Sequence, residues 1–153
     1  MDIRFAVLLH VLSVVIWVGG MFFAYMALRP AAVQTLEPPL RLPLWAATFD
    51  RFFPWVWVSV LTLLGSGLYL IAQMGGFGAV GLYVHAMFAL GIVMMLIFGH
   101  VFFAPFKKLK MGVAAQEWKA AGAALSQIRI LVGINLSIGL VNISVVLIGK
   151  FFA

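Results

Sequence analysis

Three stretches of the chain carry no charged residue: Phe5 to Leu28, Phe52 to Phe106 and Ile130 to Gly149. A helix of about 20 apolar residues crosses roughly 30 Å of hydrocarbon. The first and third stretches each fit one crossing. The middle stretch would reach about 80 Å as a single helix, so it has to fold back. Its turn is written in the run Gly75-Gly76-Phe77-Gly78-Ala79-Val80-Gly81, because clustered glycines end helices and permit tight turns. Four spans follow, at about 5–28, 54–73, 80–104 and 129–149. The pattern predicts an all-α integral membrane protein, a four-helix bundle forming one domain over 1–153.

Prolines and aromatic residues refine these limits. Pro30 and Pro105 are expected to stop spans one and three, and Pro54 suits the first turn of span two. Pro38, Pro39 and Pro43 fall in the first loop, where Leu40–Phe53 is expected along the interface. Trp45, Trp55, Trp57 and Tyr83 lie near span ends, as an aromatic belt requires. Val113–Gln127 reads as a short interfacial helix leading into span four, with Trp118, Ala121, Leu125 and Ile128 on a helical period. The first span has too long an apolar run for a signal peptide and is read as retained.

Composition agrees with the pattern. Hydrophobic residues make up 65% and charged residues 9%, a balance no water-soluble fold of this length could bury. The formal charge is +6, from ten Lys/Arg against four Asp/Glu. In a soluble chain that excess would raise nucleic acid as a partner. Here the bases sit in loops beside apolar runs, so they read as topology signals and headgroup contacts, and nucleic acid is set aside. Most fall after spans one and three, from Arg29 to Arg51 and from Lys107 to Arg129, with only Arg4 and Lys150 opposite. That asymmetry predicts both termini outside, in a bacterial inner membrane. Without cysteine there are no disulfides, thiolate ligands or Cys nucleophiles.

Two motifs carry no function. Gly76-Phe77-Gly78-Ala79-Val80-Gly81 matches GxGxxG, but a membrane span precedes it and no acid follows before Glu117. The sequons at Asn135 and Asn142 lie inside span four, out of reach of a transferase.

Chemistry concentrates in three histidines at membrane depth, His10, His85 and His100, since ionisable groups there are costly. His10 and His85 lie about five residues into spans one and three from the same side; His100 lies near the other end of span three. Two imidazoles at one depth could ligate a haem iron from both sides. They could equally hold copper, which imidazole and thioether both suit. Gly19, Gly20, Gly65, Gly67, Gly91, Gly99, Gly133 and Gly139 could leave room for a macrocycle or serve close helix packing. Asn142 falls near the depth of the pair, where it could bond a ligand's second ring nitrogen or tie two helices together. A second site would need His100 with a methionine such as Met26. Arg129 could neutralise a cofactor carboxylate or mark the start of span four. The spans contain no acid, so acid–base work inside the membrane would fall to the histidines.

Leu8-Leu9-His10-Val11-Leu12 and Trp17-Val18-Gly19-Gly20-Met21, running to Leu28-Arg29-Pro30, resemble the start of the CopD-type copper resistance domain. Arg51-Phe52-Phe53-Pro54-Trp55 and Gly65-Ser66-Gly67-Leu68-Tyr69 resemble its second span. Tyr83-Val84-His85 and Ile128-Arg129 extend the likeness. The resemblance implies membrane copper handling, with copper moved inward. Longer members have more spans, so a permease built from this chain would require a homo-oligomer. A more distant likeness reaches the HemJ-type protoporphyrinogen oxidases, which bind haem b. Their span-three histidine is followed two residues later by lysine, where this chain has Met87. Three functions remain open: a haem b protein with His10 and His85 as axial ligands, exchanging electrons with a quinol or redox partner protein; a copper-binding transport or homeostasis protein; and a structural or assembly subunit.

Overall fold

The computed structural model describes residues 1–152 and is all-helical. Helix α1 (Ile3–Phe23) starts at Asp2, whose carboxylate accepts the Arg4 N–H at 3.0 Å. One π-helical turn (Ala24–Leu28) joins it to α2 (Arg29–Thr35). Helix α3 (Pro38–Gln73) returns across the bundle, and α4 (Leu82–Phe103) crosses again. A short α5 (Pro105–Ala114) then leads to α6 (Trp118–Gly149). Among the described residues, four helical stretches are long and apolar enough to cross a membrane: Ile3–Thr35, Pro38–Gln73, Leu82–Ala114 and Trp118–Gly149.

The spans stand where the charge-free stretches place them, but the helices run past the expected limits. Pro30 does not end the first helix. The Arg29 N–H reaches back five residues to the Ala24 carbonyl, and this wider turn makes room for a ring that would otherwise press on the carbonyl four residues before it. The expected interfacial stretch 40–53 is the first part of α3, with Pro43 and Pro54 inside the helix. The segment expected as a helix over 113–127 is divided. Its first residues end α5, and Trp118 onward already belongs to α6.

Two of the three turns between spans close by the same device. Gly76 N–H bonds the Ile71 carbonyl at 2.9 Å, and Gly75 N–H bonds Ala72 at 3.2 Å, with Gly75 at φ 98°. After α5, Glu117 N–H bonds Gly112 at 2.9 Å and Gln116 N–H bonds Val113 at 3.1 Å. These are Schellman closures, which need a left-handed residue just past the helix end. Gln116 takes that conformation at φ 56° without being glycine.

Helix α1 packs chiefly on α3, and α4 and α5 chiefly on α6. Between the pairs runs an aromatic column. Phe49 stacks on Phe53 at 4.9 Å, and Phe53 meets Phe98 and Phe106 edge-on at 5.4 and 4.8 Å. Trp17 and Trp57 close on Phe98 from α1 and α3. Large apolar residues such as Leu61, Leu96 and Leu147 lie exposed outside, the surface a bilayer would cover. Helix α5 is amphipathic: Pro105, Phe106, Leu109 and Gly112 are buried, and Lys107, Lys108 and Lys110 are exposed.

Two amides fix the register of α4 against α6. Asn135 Nδ2 donates to the Met94 carbonyl and Asn142 Nδ2 to the Met87 carbonyl, each at 3.2 Å. Seven residues separate the donors and the acceptors alike, as an antiparallel pair in constant register requires.

Candidate functional site

The buried face of α1 carries Ala6, Ser13, Trp17 and Met21, at helical spacing. His10 falls on that face, half-buried, about two turns from the start of the helix. Its ring lies against Gly67 of α3, where a Cβ would stand 3.4 Å from His10 Cε1. His10 Nδ1 lies 2.9 Å from Ser66 Oγ.

That contact fixes the tautomer. The Ser66 hydroxyl has one proton and donates it to the Thr62 carbonyl at 2.6 Å. Ser66 can then only accept from the imidazole, so in the neutral ring Nδ1 carries the hydrogen. Nε2 is left with its lone pair, one of the two forms in which a neutral histidine can bind a metal. Ser66 is itself buried. The sequence did not single out Ser66 or Thr62 for this site, although a serine between Gly65 and Gly67 in an apolar span was a visible signal.

His85 stands elsewhere. The buried face of α4 holds Val84, Met94, Phe98 and Val101. His85 and His100 belong instead to its outward stripe with Leu82, Ala89, Val93, Leu96 and Phe103. His85 Nδ1 donates to the Gly81 carbonyl at 3.2 Å, which again leaves Nε2 with the lone pair, and the ring sits beside Phe77. The structure therefore puts His10 on an inward face and His85 on an outward one, near the same end of the bundle. His100 is exposed in the last turn of α4, and Met26 is 57% exposed in the π-helical turn. Asn142 bonds Met87, and the His10 ring nitrogen bonds Ser66.

Four of the glycines that could have made room for a macrocycle are filled by the chain itself. A Cβ at Gly20 would run into the Phe52 ring, at Gly133 it would stand 3.0 Å from Tyr25, and at Gly139 3.1 Å from Met94 and Val18. Gly67 receives the His10 ring. Among the described residues no three His, Asp or Glu side chains gather to hold a metal. The interior donors are instead His10, the thioethers of buried Met94 and Met21, and two amide oxygens. Asn135 Oδ1 and Asn142 Oδ1 are buried without a partner, a costly state for a polar atom.

A family model described as copper resistance protein D, CopD, matches residues 46–148, about two thirds of the chain. The chain belongs to the CopD family. No curated protein and no solved structure matches it. The CopD segment begins within α3 and runs almost to the end of α6, so it takes in Ser66, His85, His100 and Asn142. His10 precedes it, on the helix that packs against that segment.

Proposed function

We propose that this CopD-family membrane protein handles copper as its cargo, with His10 Nε2 as the principal interior ligand. The observation that carries the reading is the chain from Thr62 through Ser66 to His10, which holds one inward-facing imidazole in a metal-binding tautomer. Imidazole and thioether together suit copper. Met94 and Met21, both 4% exposed, supply thioethers further along the bundle. The excess of bases at the other end supports the orientation with both termini outside, so that copper would meet His10 first and pass inward.

A haem reading draws on the same tautomers, since both His10 and His85 leave Nε2 free near one end of the bundle. Within one chain the two rings face different ways, and the hollows at Gly20, Gly67, Gly133 and Gly139 are occupied. A haem held by both would require the outward His85 to come from a second copy. In that arrangement the pair would serve electron exchange with a quinol or redox partner protein.

The deciding experiment is an optical spectrum and a metal analysis of detergent-purified protein from copper-replete, haem-replete cells. Bound copper without a Soret band is the expected result. A Soret band with sharpened α and β bands on dithionite reduction, lost in His10→Ala/His85→Ala, would replace the copper reading by the haem one. Ser66→Ala offers a finer check, because it removes the group that fixes the ring. Copper affinity should fall about 10- to 100-fold while thermal stability changes little. An unchanged affinity would mean that Ser66 does not orient a ligand.

A further inference from the structure

The basic end of the bundle holds a cavity of about 300 Å³ between the end of α1, the start of α3 and the start of α6. Arg29, Arg41, Lys119 and Arg129 line it, and no carboxylate does. Glu37 and Glu117 adjoin lining residues in sequence, but among the described residues the only ion pair is Lys110 with Asp50, which lies outside the cavity. Among the described residues, four cations thus converge with no ion pair to a carboxylate.

Three of the cations are held by neutral groups. Arg29 lies 5.3 Å over the Tyr25 ring, Arg41 Nη1 donates to the Leu36 carbonyl at 3.3 Å, and Arg129 Nη2 donates to Ser126 at 3.4 Å. Such contacts orient a guanidinium and leave its charge uncompensated. The π-helical turn belongs to the same wall, since Ala24 and Tyr25 line the cavity and Gly133 makes the space that Tyr25 occupies. Deeper along the helix axes the wall becomes apolar, with Phe49, Trp45 and Val132. Charge at the water side and apolar surface toward the membrane centre match one chemistry, an amphipathic anion.

We propose that this cavity binds the headgroup of an anionic phospholipid, its phosphate among Arg29, Arg41 and Arg129 and its acyl chains against the apolar wall. The volume is at the lower end of small-molecule sites, which suits a headgroup. Inorganic phosphate offers the same phosphate oxygens and leaves the apolar wall unused. The site is independent of the His10 centre, at the other end of the bundle.

The test uses the full chain reconstituted in phosphatidylcholine vesicles, with dibrominated phosphatidylglycerol or dibrominated phosphatidylcholine added at equal mole fraction. Trp45 and Trp118 line the cavity and report bromine by fluorescence quenching. Phosphatidylglycerol should quench saturably at low mole fraction and be preferred by about tenfold or more. Arg29→Gln/Arg129→Gln should remove most of that preference. Arg29→Lys/Arg129→Lys should keep most of it, and this pair decides the matter if the Gln variant does not fold. Lys107→Gln/Lys108→Gln, exposed at the same end, should behave as the native chain. Superimposable curves for the two lipids would overturn the site. So would an equal loss in the Lys107/Lys108 variant, which would signal general surface attraction. Relief of the excess quenching by millimolar phosphate, beyond that from chloride at the same ionic strength, would overturn the lipid as ligand in favour of the free anion.

Discussion

His10→Ala should abolish specific copper binding, lowering affinity by more than about 100-fold, which is the upper range for loss of a group that merely supports a ligand. The fold should survive the change. Ser66 keeps its bond to the Thr62 carbonyl, and the space left beside Gly67 lies near the bundle end, away from the aromatic column. His85→Ala should retain most of the affinity, because that ring lies on the outward stripe of α4. Competition titration with a copper(I) chelator on the two purified variants measures both. Equal losses would show that the histidines act as one site. Native affinity in His10→Ala would remove His10 from the chemistry altogether.

Gly112→Val should be the most damaging single change at the junction of α5 with α6. A Cβ there would stand 2.9 Å from the backbone nitrogen and Cβ of Ala121 and 3.0 Å from its Cα. Backbone cannot swing aside as a side chain can. The helices also cannot part, because the Gly112 carbonyl accepts the Glu117 N–H and the turn between them is closed. Overpacking of this kind costs about 1–3 kcal/mol, and the upper end is expected where rigid backbone is the obstacle. Gly99→Val adds the same side chain on α4 where a Cβ meets nothing within 4 Å, so it controls for the intrinsic cost of valine in a helix. Thermal unfolding in a mild detergent should show a clear drop for Gly112→Val beyond that of Gly99→Val. Matching curves would mean that the junction yields.

The sequence made the four crossings legible because lipid imposes a simple demand: long runs without charge, broken where backbone must turn. Gly75 and Gly76 marked one turn without ambiguity, and both take positive φ. Helix limits were less legible. Proline is a reliable stop only where the backbone around it is ordinary, and the π-helical turn before Pro30 depends on packing that no local pattern records. Gln116 ends α5 in a conformation its residue type seldom announces. At the candidate site, depth along the chain brought His10 and His85 to one end, but facing depends on helix rotation. On α4 the hydropathy is nearly uniform around the axis, so nothing in the sequence separated the stripe of His85 from that of Val84. Ser66 was hidden for another reason, as its part is defined only by the ring it faces across two helices.

The paired amide bonds between α6 and α4 have a mechanical consequence. A slide of one helix along the other would have to break both bonds at once, with two amides in an apolar interior losing their acceptors in the same step. Those two helices therefore travel as a single rod. Relative motion would then fall at the seam where the α1 and α3 pair leans on that rod, and the edge-on rings of Trp17, Phe53 and Phe98 are the surface on which it would turn.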